Sequence, residues 1–138
     1  ITIGRTFYMG VDPVMEQNNA IYREQSLLVQ ELAENSDCVI VGRSADYILR
    51  DKNPLRLFIY ADMESRMERC RKRAPEQEHF TDKELRRHIQ DVDKRRSKYY
   101  QFFTGQTWGD RLNYDLCINT SNYDIKELVH AIAHLVEA

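Results

Sequence analysis

The chemistry legible in this chain is carried by arginines and one aspartate. Two apolar runs, Cys38–Gly42 (CVIVG) and Leu55–Ala61 (LRLFIYA), are each followed at once by arginines: Arg43 and Arg50 after the first, Arg66, Arg69 and Arg73 after the second. A guanidinium presents a planar fork of donors that fits phosphate oxygens. Farther on, a helix predicted over 81–103 carries an apolar stripe of Leu85, Ile89, Val92, Tyr99 and Phe103, and Arg96 stands where the stripe should continue. An unpaired guanidinium on a buried stripe is very costly, so an anion is expected beside it. Two partners are open. One is Asp93, three residues earlier on the same helix. The other is a ligand, with Asp93 and Arg96 at the floor of its site.

The elements around these residues say where they stand. Short apolar runs rich in Val and Ile read as strands covered on both faces, hence parallel strands of an α/β sheet. In such sheets ligands bind beyond the carboxyl ends of the strands. Arg43 falls directly past one strand end, and Arg66, Arg69 and Arg73 share a face of the helix after another. Three arginines on a helix also describe a solvated surface; it is the place after a strand that favours an anionic ligand.

The first strand is expected over Ile1–Gly4. Asp12-Pro13 then starts a helix that runs to about Glu34 and buries Ile21, Leu28, Val29 and Leu32. Strand 38–42, short helix 44–50, strand 55–61 and helix 62–73 follow. The polar stretch 74–80 is expected to be a mobile loop. Thr81 with Glu84 forms a capping box for the helix to about Phe103. Strand 114–119 precedes a last helix, capped by Ser121-x-x-Asp124, that buries Ile125, Leu128, Val129, Ile132 and Val136. The expected fold is α/β, with strands 1–4, 38–42, 55–61 and 115–119 parallel in one sheet and helices on both faces.

A length of 138 residues suits one domain, and 42% hydrophobic with 30% charged residues is ordinary for a globular protein. The net charge of −2 hides basic clusters at 66–73 and 86–98, a pattern that suits small anions better than a long polyanion. Cys38, Cys70 and Cys117 read as packed, reduced thiols of a cytoplasmic protein. No run is apolar enough to imply a membrane span. His130 and His134 have a zinc-type spacing but no visible third ligand, so no metal site is assigned. Trp108, in a Gly-rich turn, is expected to anchor that loop.

Four stretches in order, CVIVGRSADYILRD, LRLFIYADMESRMERCRKR, DVDKRRSKYYQFFTGQTWGD and NYDLCINTS, resemble the cytidylate kinase-like family, relatives of bacterial cytidylate kinase among the P-loop nucleoside monophosphate kinases. The likeness runs from about Leu28 to Val136, and ITIGR resembles that family's first strand. It implies a P-loop NTPase-type parallel sheet, flanked by helices on both faces, in a single nucleotide kinase-like domain over 1–138 with a lid at about 66–82. By the same resemblance Arg43 holds the acceptor nucleotide's phosphate, and Arg66 reaches the transferring phosphoryl group. Asp93 contacts the acceptor nucleoside, and Arg96 lies on the phosphates; Arg66 and Arg96 are the catalytic pair. Arg69 and Arg73 fall in the lid without a one-to-one match.

The implied reaction moves the γ-phosphoryl of ATP, with Mg²⁺, to a nucleotide such as CMP. Nucleotides are the expected partners, with no nucleic acid and no membrane. Two departures stand out. Ile89 occupies the position, four before Asp93, where bacterial cytidylate kinases carry an arginine, and this bears on cytosine specificity. Arg5-Thr6-Phe7-Tyr8 follows the first strand where a Gly-rich phosphate loop belongs. A further stretch of chain is therefore expected between Arg5 and Thr6, whose Cα atoms would lie farther apart than the ~3.8 Å of a trans peptide link. A non-catalytic nucleotide-binding or regulatory domain that lacks the phosphate loop is the first alternative. The second is an RNA-binding module using Arg86–Lys98, which Tyr99 and Phe103 disfavour by continuing an apolar stripe.

Overall fold

Capping and short-range periodicity set the elements of this chain, and tertiary contacts decide which of their faces are buried. A computed structural model describes residues 13–74 and 79–137. The strand expected at Ile1–Gly4, the cap at Asp12, the break between Arg5 and Thr6 and most of the loop 74–80 lie outside the described residues. Two compact units make up the chain, one up to Pro54 and one from Leu55 onward.

The first unit holds α1 (Pro13–Asn35) and the short α2 (Ala45–Ile48). Val29, Ala45, Ile48 and Leu49 form its core, with Tyr22, Ala33 and Ile40 packed around them. The buried seam of α1 is thus Tyr22, Val29 and Ala33, and Ser26 on the same line turns its hydroxyl back to the Tyr22 carbonyl at 2.7 Å. Burial raises the Tyr22 phenol above its ordinary pKa. Of the four residues expected inside, Val29 is buried, while Ile21, Leu28 and Leu32 are exposed. The cause is the small partner: α2 has four residues and covers one narrow line of α1.

Among the described residues the strand expected over Cys38–Gly42 is not formed. The segment has no ladder partner among the described residues, and Val39 and Val41 are 93% and 88% exposed. An apolar run makes a strand only when another strand takes up its backbone donors and acceptors. Cys38, Cys70 and Cys117 are free, as expected, but exposed and not packed.

In the second unit β1 (Leu57–Tyr60) leads into α3 (Met63–Arg73) and α4 (Asp82–Thr104), then β2 (Leu116–Asn119) and α5 (Ile125–Glu137). The strands pair in parallel, Leu57 opposite Leu116 through Tyr60 opposite Asn119. A small parallel sheet among helices is the coarser form of the expected α/β fold; two of the four expected strands pair among the described residues. Its faces are partly open, with Ile59, Tyr60 and Leu116 exposed. Phe58 packs under the loop that precedes β2, its ring 5.4 Å from Trp108 and 4.9 Å from Tyr114. Trp108 thus anchors the loop.

Of the predicted caps the Thr81–Glu84 box is present, while at α5 the cap is Asp124 and not Ser121, its carboxylate accepting from the Lys126 amide at 2.7 Å. The Asp62 carboxylate accepts from the Ser65 amide at 2.7 Å, and Thr81 and Glu84 complete a reciprocal capping box. Met67, Leu85 and Ile89, with Met63 beside them, pack α3 on α4. Full burial of such side chains contributes roughly 1.5–3 kcal/mol each, against about 0–1 kcal/mol for an exposed ion pair. This seam, rather than the Arg86–Glu64 and Arg71–Asp82 pairs at its sides, holds the helical hairpin. On α5 the stripe expected inside is largely open: Ile125, Val129 and Val136 are exposed, and Leu128 and Ile132 half-buried.

Candidate functional site

The site residues of the second unit gather where α3 leaves the carboxyl end of β1. Asp62 sits two residues past the strand, and from there it caps α3. The Ser65 amide, above all, holds the Asp62 carboxyl below its ordinary pKa. One turn into the helix, Arg66 donates Nη1 to Asp93 Oδ2 at 2.6 Å and Nη2 to Oδ1 at 2.8 Å. This is a two-pronged, charge-assisted contact between α3 and α4, with the side chains 30% and 27% exposed. A carboxylate has about four lone-pair sites, so this fork leaves Asp93 acceptor capacity for a further donor.

The buried line of α4 passes through Leu85, Ile89, Tyr100 and Thr104, and at helical spacing Asp93 and Arg96 are the polar positions on it. The predicted stripe therefore shifts by one residue beyond Val92, with Tyr99 and Phe103 only half-buried. Arg96 is exposed, not buried, and Asp93 pairs with Arg66 instead of with Arg96. The physical reason is length: α3 spans 11 residues against 23 in α4. Its first turn meets α4 at Asp93, and Arg96 lies a turn beyond that cover. Arg96 has no ion pair among the described residues.

The other two arginines of α3 divide. Arg69 turns to the sheet: Nη1 donates to Thr120 Oγ1 at 2.8 Å and Nη2 to the Thr120 carbonyl at 2.6 Å. Arg73 is exposed, with no ion pair among the described residues. Beside Thr120, the Ser121 hydroxyl accepts from the Asp62 amide at 2.8 Å and donates to Asn119 Oδ1 at 2.6 Å.

Arg43 belongs to the first unit, where it is exposed at the entrance to α2. Gly42, Arg43 and Ser44 all adopt left-handed backbone, at φ 71°, 59° and 53°. For a residue with a side chain this conformation costs roughly 1–2 kcal/mol. The Ser44 hydroxyl is buried with no hydrogen-bond partner. Arg43 is therefore held in a conformation that local preference opposes.

Sequence reasoning named Arg66 and Asp93 separately, and the structure brings them together. It did not name Thr120, Ser121 or Asp62 as parts of the site's frame. The available signal was the polar triplet Asn119-Thr120-Ser121 directly after a strand, within the motif NYDLCINTS.

A family model for the cytidylate kinase-like family matches residues 1–122. The chain belongs to that family. For this cytidylate kinase-like chain a kinase-like, nucleotide-handling function follows at the level of the family. Among solved structures it is similar to an uncharacterized protein from Eubacterium ventriosum. That match has a TM-score of 0.75 and 28% identity, over 91% of this chain and 68% of that one. No curated protein matches it in sequence. Ile89, where bacterial cytidylate kinases carry an arginine, sits in the α3–α4 core with Met67 and Leu85.

Proposed function

We propose that the protein is a nucleoside monophosphate kinase-like phosphotransferase that moves the γ-phosphoryl of ATP onto a nucleotide such as CMP. The observation that carries the reading is the pairing of Arg66 with Asp93 past the end of β1, one helical turn from Arg96, which has no ion pair among the described residues. Transfer of a phosphoryl group requires in-line positioning and neutralisation of charge on its oxygens. In this reading Arg43 holds the acceptor phosphate, and Arg66 and Arg96 meet the phosphates between which the group moves. Asp93 holds Arg66 on one side and accepts from the acceptor nucleoside with its remaining lone pairs. Residues 66–82 act as the lid of a single nucleotide kinase-like domain. The lid excludes water, which otherwise competes as acceptor.

Mg²⁺, when bound, neutralises phosphate charge between donor and acceptor. In this reading the cation arrives on the nucleotide. The donor phosphates need backbone donors after Ile1–Gly4, outside the described residues. No helix among the described residues is long and apolar enough to cross a membrane. We place the reaction in the cytoplasm, with free nucleotides as partners and without nucleic acid.

The test is a coupled assay of the full-length protein with ATP, Mg²⁺ and each of CMP, UMP, AMP and dCMP. The expected result is nucleoside diphosphate formation with at least one acceptor. Nucleotide binding with no turnover for any of the four would replace this reading with a non-catalytic nucleotide-binding domain.

A further inference from the structure

Arg69 differs from its neighbours on α3 in what its fork holds. Both Nη atoms are engaged by Thr120, which is 4% exposed and follows β2 directly. Thr120 is itself fixed to the other strand: its amide donates to the Tyr60 carbonyl at 2.8 Å, and its hydroxyl donates to the same oxygen at 3.1 Å. One residue thus ties together the ends of β1, β2 and, through Arg69, the middle of α3. The Arg69 fork is thus turned to the sheet.

Arg66 lies three residues before Arg69, on the same face of the helix. The apolar seam of Met63 and Met67 fixes the distance between α3 and α4 but is weakly directional. Rotation of α3 about its axis would carry Arg66 away from Asp93. The fork on Thr120 opposes that rotation because it is planar, two-pronged and anchored to backbone. The Asp62–Ser121 contact holds only the start of the helix.

We propose that Arg69 is a positioning residue: through Thr120 it sets the rotation of α3, and so the place where Arg66 is presented. The inference rests on the phosphotransferase reading for its effect on rate, though not for its effect on Arg66. Lysine at position 69 keeps the charge but cannot engage two oxygens as a fork.

The experiment uses the full chain and two readouts. The first is a double-mutant cycle on unfolding by denaturant, with Arg66→Ala and Asp93→Ala made in the native background and again with Arg69→Lys. We expect a coupling of about fivefold in the unfolding constant in the native background, and within about twofold of none beside Arg69→Lys. Equal coupling in both backgrounds overturns the proposal. The second readout is steady-state kinetics. Arg69→Lys and Thr120→Val should each lower kcat about tenfold or more and leave the KM of the acceptor within about twofold. The double variant Arg66→Ala/Arg69→Lys should be no slower than Arg66→Ala alone. Multiplying losses would show that Arg69 acts without Arg66, and an unchanged kcat in Arg69→Lys would also overturn the proposal. If the native protein turns over no nucleotide, the phosphotransferase reading fails, and the unfolding cycle still decides the role of Arg69. Thr120→Val keeps the arginine in place should Arg69→Lys fail to fold.

Discussion

The two ends of the small parallel sheet are closed in different ways. At the amino end Arg56 and Asp115, each just before its strand, bind one another. The Arg56 guanidinium donates to both carboxylate oxygens at 3.1 and 3.2 Å, and its amide adds a contact at 2.7 Å. Charge meets charge there. At the carboxyl end an uncharged threonine joins the strands, and α3 and α4 supply the arginines. One of these, Arg69, is absorbed by the sheet, one is shared with Asp93, and Arg73 and Arg96 have no ion pair among the described residues. The amino end is thus a balanced structural lock, while the carboxyl end keeps positive charge in excess, where α/β sheets receive anionic ligands.

Exchanging the two ends by mutation gives the strongest test of that contrast. Arg96→Ala should lower kcat/KM about 100-fold or more in the nucleotide assay, as loss of a charged transition-state contact does. Stability should move by no more than about 0.5 kcal/mol, since the side chain is exposed and has no ion pair among the described residues. Arg56→Ala should do the reverse, leaving kcat/KM within a factor of about two while the denaturant midpoint falls. Equal effects on activity at both ends would erase the distinction.

Asp93→Ala comes next in size. It removes the anion from a half-buried guanidinium, and we expect a loss of about 1–2 kcal/mol in unfolding free energy by urea titration. Asp115→Ala at the amino end, where the partners are more exposed, should cost less. The reverse order would place the main electrostatic support at the wrong end.

In the first unit the same separation of stability from function can be probed at one residue. Arg43→Gly relieves a left-handed backbone conformation and should raise stability by about 1 kcal/mol in thermal or urea unfolding. It should at the same time weaken acceptor binding in a nucleotide titration. A glycine variant that gains stability and keeps its affinity would remove Arg43 from the site.

The smallest effect is a pH dependence. Asp115, chiefly through the Arg56 side chain, and Asp62, through the Ser65 amide, titrate below the ordinary aspartate value. A carboxyl depressed in the folded state stabilises above its unfolded pKa of about 4, and that contribution fades as pH falls through the folded value. Unfolding midpoints should therefore drop below about pH 4, with a shallower drop in Asp62→Asn and in Asp115→Asn. An unchanged acid limb in both variants would sink this account.

The parts of this fold that sequence made legible are local ones. Thr81 with Glu84 is an interaction within three residues, and it is present as expected. The run Cys38–Gly42 has no ladder partner among the described residues, and such a partner cannot be read from the run itself. The buried line of α1 was misplaced because it depends on the width of α2, not on α1. At the site, the argument that Arg96 continues the stripe of α4 found the right line of the helix. It missed the burial, because α3 ends its cover one turn earlier. The partners Arg66–Asp93 and Arg69–Thr120 are 27 and 51 residues apart, beyond any periodicity.

The fork of Arg69 lands half on a hydroxyl and half on a main-chain carbonyl, and this makes the two ends of the contact unequal under sequence drift. Any residue at position 120 brings the carbonyl, and serine would bring the hydroxyl as well, so that end can vary among descendants of this chain. The arginine has no substitute that reaches both oxygens in one plane. Drift at this corner should therefore run through position 120 and stop at position 69.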